Sequence, residues 1–83
     1  MPTSEQIRAA RMLLRWEQKE LADRSGVSLP TIKRLEIKPG EVQAHGTTLE
    51  ALQRAFVEAG VIFLAEGDAI GGGPGVRLKG ASE

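Results

Sequence analysis

The 83-residue chain has no cysteine, one histidine, three aromatic residues and no long apolar run. Without cysteine it can form no disulfide, no cysteine-ligated metal site and no thiol nucleophile, and one histidine is too few for a histidine cluster around a metal. No apolar stretch approaches the ~20 residues that span a bilayer. The first residues also lack the basic and apolar segments of a secretory signal. We therefore expect a cytoplasmic protein of one domain, with no metal, no other cofactor and no membrane association.

Basic and acidic residues balance over the whole chain, with 11 of each, but they are unevenly distributed along it. Residues 1–39 contain eight basic and five acidic side chains, whereas residues 40–83 contain three basic and six acidic ones. A basic half suits a polyanion bound on one side of a protein. An imbalance of this size also arises by chance in a short chain, so charge alone does not identify the partner.

Four short helices are predicted over the first 60 residues, and capping motifs open the first and the last. Thr3 and Gln6 have the spacing of a capping box before a helical apolar pattern. Thr47 and Glu50 repeat that spacing before a second apolar stripe, which ends at Gly60. Trp16, just after the first helix, is predicted to lie in the core.

The second and third helices are separated by a tight turn. The second begins near Glu17 and ends at Gly26, because glycine adopts the left-handed conformation that terminates a helix. Ser28 is a good N-cap for the third helix, and Pro30 falls in its first turn, where a missing N–H costs nothing. Two short helices joined in this way form a helix-turn-helix.

Beyond residue 60 the pattern changes to β-structure. Residues 61–65 are continuously apolar and predict a strand buried on both faces, and residues 76–79 alternate apolar and basic side chains as a half-buried strand does. The glycine-rich residues 71–75 between them predict a flexible linker. They lack the lysine of a phosphate-binding loop and precede a strand.

The outer side of the third helix is the candidate binding surface. An α-helix fits the major groove of DNA, where its exposed side chains meet base edges. Leu29 suits contact with a thymine methyl group, although an isolated surface leucine is equally ordinary. The predicted outward positions are Ser28, Leu29, Pro30, Thr31, Lys33 and Arg34.

About residues 5–60 resemble the XRE, or lambda-repressor-like, helix-turn-helix family of bacterial and phage regulators. The resemblance rests on one long motif, Gln18-x-Glu20-Leu21-Ala22-x-x-Ser25-Gly26-Val27-Ser28-x-x-Thr31-Ile32-x-x-Leu35-Glu36. It implies a mainly α fold of four to five helices that acts as a dimer on palindromic DNA. The ending Gly75-Val76-Arg77-Leu78 is similar to that of small alphaproteobacterial members, which finish in a short β-segment.

The same resemblance implies roles for individual residues. Arg11 matches an arginine that pairs with a glutamate at the end of the third helix, here Glu36, and it could also donate to a phosphate. Glu17 departs from the Ser or Thr that the family prefers as N-cap, and His45 is a weaker candidate for a phosphate contact. The implied DNA-binding residues are Gln18, Ser28, Leu29, Pro30, Thr31, Lys33, Arg34, Lys38 and Arg11.

The resulting domain map has three segments. Residues 3–60 form the DNA-binding unit, residues 61–79 a β-segment that we expect to mediate dimerisation, and residues 80–83 a frayed tail. The two strands pair either as a hairpin within one chain or between chains across a two-fold axis, and we favour a hairpin whose exposed face or edge forms the dimer. The predicted dimer contacts are Val61, Phe63, Val76 and Leu78.

The sequence thus predicts a nucleoid-associated, dimeric transcriptional repressor. Its expected partners are double-stranded DNA and a second copy of the chain, and a regulatory protein is a further candidate partner. Two alternatives are an antitoxin-like DNA-binding partner of another protein and an interaction module that has lost DNA binding. We expect no enzyme and no small-molecule substrate, because the carboxylates of Glu17, Glu20 and Asp23 have no nucleophile or ligand beside them.

Overall fold

The computed structural model of the protein describes residues 2–68 and 70–80. These residues form four helices and one two-stranded antiparallel sheet, so the mainly α fold is confirmed. None of the helices in this described part has the length and apolar character to cross a bilayer. Most of the predicted tail, residues 81–83, lies outside the described residues. The elements are α1 (Ser4–Leu14), α2 (Gln18–Ser25), α3 (Leu29–Ile37), α4 (Gly46–Glu58), β1 (Val61–Leu64) and β2 (Gly75–Leu78).

The first capping box and the glycine stop form as predicted. The Thr3 hydroxyl oxygen accepts the Gln6 N–H at 3.1 Å, and the Gln6 side-chain oxygen accepts the Thr3 N–H at 2.9 Å. Gly26 ends α2 with φ 78°, and its N–H donates to the Ala22 carbonyl. Arg15 ends α1 in the same left-handed region, with φ 58°, which is uncommon for a residue with a side chain.

The predicted capping box of α4 is wrong. The helix begins at Gly46 with His45 as N-cap, so Thr47 already lies inside the first turn. A capping hydroxyl must come from the extended residue before the helix, and Thr47 is one of the helical residues. The helix ends near the predicted Gly60, whose φ is 97°.

The core lies between the four helices and the inner face of the sheet. Trp16 stacks on Phe56 with ring centroids 5.7 Å apart, and Phe63 meets Phe56 edge-on at 5.8 Å. The predicted core position of Trp16 is thus confirmed. Val42 also enters the core, although the surrounding stretch is polar in sequence. The other buried apolar residues are Ile7, Ala10, Leu21, Ile32, Leu35, Leu49, Leu52, Ala55 and Val61.

The two strands pair within one chain as a hairpin. Val61 lies opposite Leu78, and Phe63 lies opposite Val76. The prediction that the first strand is buried on both faces is wrong, since only Val61 is fully buried. A sheet of two strands packs one face on the helices and leaves the other towards solvent.

Gln6 joins α1 to this hairpin. Its amide nitrogen donates to the carbonyl oxygens of Leu64 at 2.8 Å and Gly75 at 2.9 Å, one on each strand. Its amide oxygen completes the capping box, so the buried carboxamide has three hydrogen bonds. The hairpin is therefore fixed to the start of the first helix.

Candidate nucleic-acid interface

The helix-turn-helix consists of α2, a short turn and α3. The Val27 N–H donates to the Ser25 hydroxyl at 3.1 Å within the turn. Ser28 then caps α3, because its hydroxyl oxygen accepts the Thr31 N–H. Ile32 and Leu35 bury the inner side of α3. The opposite side is free to face a ligand.

A buried ion pair fixes the inner side of α3. The Arg11 Nε and Nη2 donate to the two carboxylate oxygens of Glu36, each at 2.7 Å, which is a bidentate arrangement. Arg11 Nη1 also donates to the carbonyl oxygen of Trp16 at 3.1 Å. The side chains of Arg11 and Glu36 are 11% and 4% exposed. The pair therefore ties α3 to α1 and to the start of α2.

Two predicted DNA contacts belong to this inner network. The Gln18 amide nitrogen donates to Glu36 Oε1 at 3.0 Å, so the side chain is half-buried and bonded inwards. All three side-chain nitrogens of Arg11 are engaged with Glu36 and Trp16. The structure thus contains the expected Arg11–Glu36 pair and leaves little of Arg11 exposed for the suggested phosphate contact.

The outer side of α3 carries the exposed residues Pro30, Lys33, Arg34 and Ile37. Neither cation makes an ion pair within the described residues. Of the other predicted base contacts, Leu29 and Thr31 are half-buried. Sequence reasoning missed Ile37, although it lies one helical turn after Lys33 and is 80% exposed.

The segment between α3 and α4 extends this surface. A shallow cleft of about 520 Å³ lies between α3 and the start of α4, where His45 and Thr48 come beside Arg34. Lys38 and Glu41 line a neighbouring cleft of about 220 Å³ together with Arg34. We define the recognition surface by the exposed residues of α3 together with Lys38, Glu41, Gln43, His45 and Thr48. Gln43 and Thr48 were missed because only folding brings them beside Arg34.

Some of the charges outside the recognition surface, chiefly those on α1 and α2, are neutralised locally. On α2, Lys19 pairs with Asp23 and Arg24 with Glu20 at helical spacing, which accounts for two of the three carboxylates noted in the sequence. Backbone N–H groups, that of Glu5 itself and that of Gly40, lower the pKa of the Glu5 carboxyl. In the part of the chain that the structure describes, no group of His, Asp or Glu is placed to hold a metal ion.

The predicted dimer contacts require a correction. Val61 is 1% exposed, and Phe63 and Val76 pack against the core of their own chain. Residues paired across an antiparallel ladder share a face, so all four predicted contacts face inwards from the hairpin. Leu78, at 42%, is the one that retains substantial exposure.

Comparison with known proteins identifies the family to which the chain belongs. A family model described as helix-turn-helix matches residues 7–56, which include α2, the turn and α3. The chain belongs to the XRE family of helix-turn-helix proteins. None of the curated proteins compared with it matches. This XRE-family chain is a DNA-binding helix-turn-helix regulator, and the family is not typically enzymatic.

Proposed function

We propose that this XRE-family chain is a sequence-specific transcriptional repressor. It inserts α3 of each copy of a dimer into the major groove of a palindromic operator, blocks the promoter and acts in the cytoplasm on the nucleoid. The observation that carries the proposal is the contrast between the two sides of α3. Glu36 is held on the inner side, while Lys33 and Arg34 are exposed on the outer side and have no ion-pair partner among the described residues.

This contrast suits DNA binding for a physical reason. Cations without protein partners are free to neutralise phosphates or to donate to base acceptors, and each neutralised phosphate releases counterions. A helix fixed by a bidentate ion pair presents those cations on an ordered backbone, so the ordering cost of binding is confined to the side chains. We expect affinity for duplex DNA to fall steeply with salt.

Fluorescence anisotropy with labelled duplex tests the proposal. Lys33→Ala and Arg34→Ala should each weaken binding of an operator selected from random sequences at least several-fold. Both variants should keep the wild-type thermal transition, because both side chains are exposed. Arg54→Ala, which removes an exposed cation outside the recognition surface, is the matched control. Wild-type affinity in both α3 variants would contradict the proposal.

We propose that the dimer forms through the free edge of β2. The Lys79 N–H donates to the Gly60 carbonyl at 2.8 Å, which makes these two residues a hydrogen-bonded pair. Hydrogen-bonded and non-bonded pairs alternate in an antiparallel ladder. The N–H and C=O groups of Val76 and Leu78 therefore point away from β1. In the sheet of the described residues no strand pairs with this edge, so it can accept another strand, and two identical edges are self-complementary.

The charge of Arg77 opposes this association. A two-fold axis at Arg77 pairs Val76 of each copy with Leu78 of the other and sets the two Arg77 side chains opposite one another. Like charges directly opposite destabilise a strand pair. We therefore expect a weak dimer in free solution, which a palindrome with half-sites about 10 base pairs apart stabilises.

Sedimentation velocity tests whether the edge of β2 mediates self-association. The two substitutions that follow change exposed residues and should have opposite effects. Leu78→Glu should weaken self-association roughly tenfold or more, because it removes apolar contact and adds a buried charge. Arg77→Ala should strengthen self-association. A dimer that responds to neither substitution does not use β2.

An interaction module without DNA binding is the second candidate. Met12 and Leu13 favour it, because they leave an apolar pair exposed on α1 and such pairs suit protein contacts. If no duplex binds even at low salt, this candidate replaces the repressor, because the antitoxin-like alternative also binds DNA. Co-purification from native extract then tests for a protein partner.

A further inference from the structure

The outward stripe of α3 has an unusual composition. Ile32, Leu35 and Glu36 define its inner side, and the helical period of 3.6 residues places Pro30, Lys33, Arg34 and Ile37 on the other side. All four are exposed. The stripe thus consists of two cations between two apolar residues.

Two hydroxyl groups at the start of this helix hydrogen-bond to each other. The Ser28 hydroxyl donates to Thr31 Oγ1 at 2.8 Å and, as the N-cap, accepts the Thr31 N–H, whereas the half-buried Thr31 hydroxyl keeps its own proton to donate. Glu36, the one carboxylate of α3, faces inwards on Arg11. The helix contains no Asn or Gln. Its outer side therefore offers cationic donors and apolar surface, and no free carboxamide or carboxylate.

From this inventory we infer that α3 selects guanine and thymine in the major groove. Arginine and lysine donate to the O6 and N7 acceptors of guanine, and apolar groups contact the C5-methyl group of thymine. Adenine is recognised in this groove by the carboxamide of Asn or Gln, and cytosine by an acceptor such as the carboxylate of Asp or Glu. In this proposal Lys33 and Arg34 donate hydrogen bonds to guanines. Pro30 and Ile37 contact thymine methyl groups, and these bases lie on either strand of the half-site. The inference rests on the proposed function and specifies its DNA chemistry.

Ile37 distinguishes this inference from a general affinity for DNA. A single exposed isoleucine is ordinary on a protein surface. Here it shares with Pro30 the stripe that would face the groove, and phosphate attraction does not require either residue. Loss of Ile37 should therefore change sequence preference and leave the salt dependence of binding unaltered.

Single-atom changes in the DNA provide the test. The wild-type chain first selects a duplex from a random library. Each thymine of that duplex is then replaced by deoxyuridine, which lacks the methyl group. Each guanine is replaced by 7-deazaguanine and each adenine by 7-deazaadenine, both of which lack N7. We expect at least one deoxyuridine to weaken binding about fourfold, as expected for one buried apolar carbon. At least one 7-deazaguanine should weaken it roughly fivefold or more.

Protein variants then assign each contact. Ile37→Ala or Pro30→Ala should remove the sensitivity to a particular deoxyuridine and retain that to 7-deazaguanine, whereas Arg34→Ala should do the reverse. Met12→Ala, which changes an exposed side chain of α1, should alter neither sensitivity. A selected duplex that is insensitive to both base changes, or sensitive chiefly to 7-deazaadenine, overturns this inference while the proposed function stands. Failure to select any duplex overturns the proposed function itself.

Discussion

The Arg11–Glu36 pair should be the most sensitive polar contact in the protein. Replacing Arg11 by Met keeps an aliphatic side chain of similar length but leaves the Glu36 carboxylate, 4% exposed, with the Gln18 amide as its remaining side-chain donor. Breaking a buried pair by removing one partner costs about 3–5 kcal/mol. A small domain is stable by only about 5–15 kcal/mol, so this single change removes a large part of the free energy of unfolding.

Thermal and urea unfolding measure the loss. In a domain of this size each kcal/mol lowers Tm by roughly 4–8 °C, so Arg11→Met should lower Tm by about 12 °C or more. The double variant Arg11→Met with Glu36→Leu should recover most of the stability, since a buried pair replaced by apolar residues of similar volume is often neutral. A loss below about 1 kcal/mol in the single variant would refute the reasoning.

The double variant also separates stability from function. If the pair orients α3 as well as stabilising the fold, the restored protein should still bind the selected duplex more weakly than wild type. Equal affinity at restored stability would mean that the pair contributes to folding alone. The double variant loses one positive and one negative charge, so its net charge equals that of the wild type, and weaker binding would report on the orientation of α3.

Four further substitutions probe other contacts. Gly26→Ala should cost about 1 kcal/mol in urea unfolding, because φ is positive and no atom lies within 4 Å of an added methyl group. Gln6→Glu should cost about 2 kcal/mol by replacing two donors to the hairpin with acceptors. The fold lowers the pKa of Glu5, so the ionised carboxylate stabilises the folded state above the ordinary pKa of a glutamate. This stabilisation is lost as the pH falls through the lowered pKa. Glu5→Gln should therefore make Tm less dependent on pH in the acid range. Glu41→Gln should tighten duplex binding by removing a negative charge beside Arg34 and Lys38.

Much of the helical fold was predictable because its signals are local. The Thr3 capping box, the glycine stop at Gly26 and the cap at Ser28 each depend on a few neighbouring residues, and each forms as the sequence indicates. The failure at Thr47 shows the limit of such a motif. The same two residues also fit inside a helix that starts two residues earlier, and here the helix begins at Gly46 instead of residue 48.

The candidate site was predictable only in part, because side-chain partners depend on tertiary contacts. Periodicity placed Lys33 and Arg34 on the outer side, and they are exposed. It did not indicate that the Gln18 amide donates inwards to Glu36. A glutamine at the start of a helix can equally well bind DNA or a buried carboxylate, so the residue type alone does not distinguish the two. Gln43 and Arg34 are nine positions apart and meet only across the cleft between helices.

The hairpin requires a different test from the one that the sequence suggests. A chain cut after Glu66 should lose its dimer if the β-segment is a separate appendage. In the structure the same cut removes Val76 from the core and leaves the Gln6 amide without one of its two carbonyl acceptors. Such a chain is expected to be less stable as well as less associated, and the two losses cannot be separated. Leu78→Glu changes an exposed side chain and leaves both contacts in place, so it reports on association without removing part of the core.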